Sequence, residues 1–197
     1  MGDCERWKRR VWPFWLLVAV LGLAAEARPA GGDAPAMMSE SRVQSRVHLK
    51  GAPGMALRRA IEGALLRLQD PGCQQVFSDF KDRAGRLLQG NLDALGVTPE
   101  TYVGFLLFYD GSAQRRCASG DILGGTLPGS RVVYVCPVSF FETDRKDQRA
   151  TEVFIIHETL HSLGLGENPP APVEINWDVM ARCAERAPVT RTGPANR

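Results

Sequence analysis

The sequence predicts an α+β fold in which a small sheet packs over one long helix, with further helices in support. Apolar residues recur at helical spacing over 55–68, 73–95 and 149–163. Two short runs, 102–109 and 131–136, are rich in aromatic and β-branched residues and are bounded by turn residues, as strands are. Four cysteines follow an N-terminus patterned for export, which implies two disulfides.

The N-terminus has the order of a cleaved signal. Arg6, Lys8, Arg9 and Arg10 precede an apolar run over 11–25, and Ala25-Glu26-Ala27 places small residues for cleavage. The run is short for a membrane span and is broken by Pro13, so residues 1–27 read as a signal and the mature chain as free of stable membrane insertion. This expectation makes the protein secreted or periplasmic. Removing those residues takes four basic and three acidic side chains from totals of 24 and 22, leaving 20 and 19. A chain so nearly neutral, with its basic residues scattered, offers no nucleic-acid surface.

Residues 28–45 are rich in Ala, Gly, Pro, Ser and Met without periodicity and read as a leader; 46–185 then provide one domain, and 186–197 a loose tail. The helix over 55–68 should end at Asp70-Pro71-Gly72, and the second, over 73–95, at Gly96. The Gly-rich segment between the two strand runs reads as loop with a short strand near Ile122; its glycines lack phosphate-loop spacing. A last helix over 173–183 completes the set. Cys73, Cys117, Cys136 and Cys183 allow three pairings. Cys117 and Cys136 bracket a turn-rich loop and are expected to pair, leaving Cys73 with Cys183, and the absence of a C-x-x-C spacing argues against a cysteine-held metal.

The chemistry sits on the helix over 149–163. His157-Glu158-Thr159-Leu160-His161 is an H-E-x-x-H pattern. Residues four apart on a helix stand one above the other, so both imidazoles can meet one Zn2+ ion while Glu158 is aimed at its water as general base. The pattern continues as H-E-x-x-H-x-x-G-x-x-E. Gly164 marks the turn, and Glu167 is the expected third metal ligand, with Glu174 and Asp178 as alternatives. His48, the remaining histidine, lies among basic residues near the leader and is not assigned to the metal.

On these residues the chain resembles the zincin superfamily. The run 132–136, Phe140-Phe141 and the motif helix are similar to deuterolysin-like secreted metallopeptidases, and the H-E-x-x-H-x-x-G-x-G-E-N-P-P segment to a group of uncharacterised bacterial zincin-like proteins. The resemblance covers residues 117–183. It implies a cleft between sheet and helix, a peptide or protein substrate laid along an edge strand drawn from 131–136 or the Gly-rich loop, and zinc-dependent hydrolysis of peptide bonds. The G-T-x-D segment from which deuterolysins take their third ligand is absent. The glycine spacing is metzincin-like, but Met180, the residue available for a methionine turn, reads as a core residue of the last helix. The alternative function is a non-catalytic zincin-like binding or structural module of the cell envelope.

Overall fold

The computed structural model describes residues 46–183. The expected signal, the leader to residue 45 and the tail lie outside them. Helix α1 (Gly51–Leu68) buries Ala56, Leu57, Ala60, Ile61, Ala64 and Leu68, one face repeated every third or fourth residue. Two single turns follow, α2 (Pro71–Gln74) and α3 (Val76–Asp79), then α4 (Leu88–Leu95) and α5 (Pro99–Val103). Asp70 starts α2 by accepting from the backbone of Gly72 and Cys73, and Thr98 starts α5 by accepting from Thr101. Strand β1 (Leu107–Asp110), a 3-10 turn (Arg115–Ser119), β2 (Gly124–Thr126) and β3 (Val132–Val135) lead into α6 (Pro137–Lys146), α7 (Gln148–Ser162) and α8 (Pro172–Arg182).

The single helix expected over 73–95 is broken into three. Its apolar period continues through Phe80 and Leu87, but the chain reverses between them. Asp82 accepts from the backbone of Ala84 and Arg86, Gly85 takes φ +80, and Lys81 bridges Leu87. The strand expected over 102–109 begins only at Leu107, because Thr98-Pro99 has already started a helix that carries Tyr102 and Val103 into the core. Helix α6 has no counterpart among the expected elements. It buries only Phe140 and Asp144, and half of that buried face is a carboxylate, bonded by Arg59 and Thr151.

The sheet has the order β1-β3-β2, with β1 parallel and β2 antiparallel to β3. Strand β3, one of the two expected sources of a free edge, is therefore central. On the far side of β1, Val47 bridges Phe108, so β2 is the open edge among the described residues. Val133 and Val135 face the core, and Tyr134 the opposite side beside Tyr109. Helix α7 crosses the centre of the fold and is buried at every position from Thr151 to Ser162, so an all-round buried helix replaces the two-faced one implied by its apolar pattern.

Two disulfides form as expected. Cys73–Cys183 ties α2 to the end of α8, and Cys117–Cys136 ties the 3-10 turn to the start of α6. No helix among the described residues is long and apolar enough to cross a membrane.

Candidate metal centre

A helix buried all round must find partners for every polar side chain it carries. On α7 most do. Thr151 donates to Asp144, Glu152 pairs with Arg67 at 2.7 Å, Thr159 donates to the carbonyl of Ile155, and Ser162 donates to the hydroxyl of Tyr102. Near the start of the helix Arg149 buries an Nε without a hydrogen-bond partner, and further along His157, Glu158 and His161 line one cleft.

The end of α7 explains how. Gly164 has φ +110, a conformation open to glycine, and lets the chain double back so that Leu165 donates its N–H to Leu160 O. Asn91 caps the carbonyl of Leu163, and Tyr102 that of Ser162. The reversal brings Leu165 O to 2.9 Å from His161 Nδ1, and two residues later Glu167 Oε1 to 3.1 Å from His161 Nε2. On the other ring, Asn176 Oδ1 of α8 lies 2.8 Å from His157 Nδ1.

These outer bonds decide where the protons are. A carbonyl oxygen only accepts, so both rings carry their proton on Nδ1 and in their neutral forms turn bare Nε2 atoms inward. Those two atoms are 2.8 Å apart. Burial, with the neighbouring His161, pulls His157 down to about 4, so this ring is neutral at physiological pH. The Nε2 atoms of both rings and a carboxylate oxygen of Glu167 therefore meet at one point.

That donor set fits a metal ion. His157, His161 and Glu167 each offer one ligand atom, and these lie within 4.8 Å of one another. Two nitrogens about 2.1 Å from a tetrahedral zinc stand about 3.4 Å apart, so the rings need to open by only about half an ångström. Neutral imidazoles with a carboxylate, their outer nitrogens already bonded, are the ligands such an ion uses.

Glu158 lies beside them. Its Oε2 is buried with no hydrogen-bond partner, while the backbone N–H of Thr126 in β2 donates to the carboxyl. Burial pushes its carboxyl up to about 8; the Thr126 hydrogen bond and the Arg116 charge pull the other way, and Glu167 pushes with burial. Strand β2 comes this close because Gly124 has no side chain. A Cβ there would stand 2.8 Å from the Phe154 ring and collide with Tyr134 O. The hairpin is also pinned to the helix, with Gly129 donating to His161 O at 2.9 Å. Between β2 and α8 the cleft encloses about 720 Å³.

No protein-family model matches the chain, and no curated protein or solved structure matches it.

The site therefore rests on its own geometry. His157, Glu158, His161 and Glu167, expected together from spacing, are brought together. Glu174 is not: its carboxylate accepts from Ala171 N at 2.8 Å and caps α8. Asp178 is exposed and lies outside the metal-ligand cluster, and His48 stacks on Tyr109 at 4.5 Å on the sheet. Met180, expected in the core, is exposed and lines the cleft. Asn176, the Thr126 N–H and Arg116 were not legible. None belongs to a local motif, and two of the three act through a backbone group or from a separate loop.

Proposed function

We propose that this chain is an exported zinc-dependent peptidase in which His157, His161 and Glu167 hold the ion and Glu158 is the general base. One observation carries the reading. A buried carboxyl with an unpartnered oxygen stands next to three converging side chains able to hold a metal ion, an arrangement that costs stability and is accounted for by chemistry in the cleft.

When bound, zinc supplies a Lewis acid that polarises the substrate carbonyl and acidifies water. The chain's own residues do the rest. Asn176 and Leu165 O hold the two rings in the tautomer that leaves Nε2 free. Glu158, steadied by the Thr126 N–H, accepts a proton from water as its oxygen adds to the scissile carbonyl carbon, then returns the proton to the departing nitrogen as the C–N bond breaks. Burial by itself would keep this carboxyl protonated near neutrality; beside bound zinc the ionised form that accepts the proton would be favoured, and burial favours holding that proton until it is passed on. Along the wall, the open edge of β2 suits an extended backbone, which would satisfy its amides there without regard to sequence. Two disulfides fit an oxidising compartment and thus the export reading.

The test uses two variants. Glu158→Gln keeps the size and the ligands, so zinc content measured by mass spectrometry stays stoichiometric while peptide cleavage falls at least about a hundredfold. Glu167→Ala loses zinc. Cleavage undiminished in Glu158→Gln would remove the base assignment, and unchanged zinc in Glu167→Ala would remove the third ligand.

A further inference from the structure

Helix α8 carries two apolar rows where one would serve to dock it. Ile175 and Val179 are fully buried against the core. Val173, Trp177 and Met180, spaced four and three residues apart, form a second row that is 58%, 70% and 44% exposed. Leaving a tryptophan this exposed forgoes a large apolar burial, so a row of three such residues calls for an occupant.

The cleft says which. Pro172, Asn176 and Met180 of α8 line it, so the exposed row lies directly beside the cleft wall and shares Met180 with it. On the opposite rim, immediately after β2, Leu127 is 71% exposed and lines the same cleft. The apolar surface is thus an outward continuation of the space in front of Glu158. From Val173 to Met180 the helix advances about 10 Å, the length of about three residues of extended chain. Such a chain turns alternate side chains to one side, so the row accommodates two of them.

We propose that Val173, Trp177 and Met180 form a subsite for large apolar side chains of an extended polypeptide held in the cleft. The inference rests on the peptidase reading and names its substrate class: polypeptides with apolar residues at alternate positions flanking the bond presented to Glu158. A lone exposed helix row elsewhere would carry no such meaning. Here it adjoins, through Met180, a cleft also lined by the open strand β2, so side chains of an extended chain leaving the cleft on the α8 side would meet the row.

The experiment measures binding apart from cleavage. In the full chain carrying Glu158→Gln, fluorescence anisotropy follows two labelled octapeptides of equal charge, one with Leu and Phe at alternate positions and one with Ser in their place. The apolar peptide should bind at least about tenfold more tightly. Adding Trp177→Ala should abolish most of that difference while leaving the Ser peptide unchanged, and Trp177→Phe should retain part of it. Trp177 is exposed, so neither change threatens the fold. Equal affinities for the two peptides, binding of neither, or a preference unmoved by Trp177→Ala overturns the subsite. Zinc content of the same samples keeps the two readings apart. An apolar preference without zinc removes the peptidase and leaves the subsite, whereas zinc-dependent cleavage by the wild-type chain without the preference does the reverse.

Discussion

At the scale of single residues, His157 and Glu158 are displaced in opposite directions, and the pair makes a prediction about stability without metal. In the unfolded chain Glu158 titrates near 4.5 and His157 near 6.5, whereas in the fold burial moves them to about 8 and about 4. Between pH 4.5 and 6.5 the unfolded chain has a protonated histidine and an ionised glutamate, and the folded chain a neutral histidine and a protonated glutamate. The proton counts match, so stability from this pair is flat. Between 6.5 and 8 the unfolded pair holds no proton and the folded pair still holds that of Glu158, so stability falls as pH rises. The fall is about 2 kcal/mol over the window, or a melting temperature lower by about 4–8 °C. Calorimetric melts in chelator at pH 6.5 and 8 measure it. Saturating zinc should shrink the decline, since a dication beside a carboxyl favours its ionised form. A chelated protein equally stable at both pH values would mean that Glu158 is not held protonated.

At the scale of elements, the turn after α7 is where sequence and structure agree most closely. Gly164 was legible because only a residue tolerating φ +110 lets a helix double back within two residues, and Glu167 followed from that reversal. Gly164→Ala should therefore act on the site as well as the fold. It would strain the backbone and place a Cβ 3.0 Å from that of Asp82, for about 1–3 kcal/mol of lost stability. It should also weaken zinc binding, because Leu165 O and Glu167 both depend on the reversal. Denaturant unfolding together with a zinc titration tests it; lost stability with unchanged affinity would detach the turn from the metal site. Elsewhere local signals conflicted, and a turn or cap decided. Residues 80–87 keep the helical apolar period, yet one aspartate bonding two backbone amides outweighs it. Tyr102 and Val103 look strand-like, yet the cap at Thr98 sets them in a helix. The cleft wall built by Asn176 was illegible for a different reason: a residue nineteen positions from His157 becomes its partner only through packing.

At the scale of the whole molecule, the two disulfides divide labour between stability and site. Cys73–Cys183 closes a sequence separation of 110 residues and fixes the end of α8, where Arg67 also bonds Cys183 O while pairing with Glu152 of α7. Cys117–Cys136 closes only 19 and holds the turn that carries Arg116 over Gly125 at the cleft edge. The entropy of the unfolded chain favours the longer closure, about 4.7 kcal/mol for a loop near 100 residues against about 3 for one near 15. Replacing Cys73 and Cys183 by alanine should thus lower the melting temperature further than replacing Cys117 and Cys136. Both buried sulfur atoms of the first pair add a packing loss, since Cys73 and Cys183 are fully buried. Peptide turnover should follow the opposite order once each variant is assayed well below its own melting temperature. Loss of the short loop frees Arg116 and the approach to β2 without unfolding α7, whereas α8 without its disulfide is still anchored by Ile175, Val179 and Arg67. Melting curves and cleavage rates on the two double variants decide between this division and a single cooperative effect, in which stability and turnover would fall in the same order.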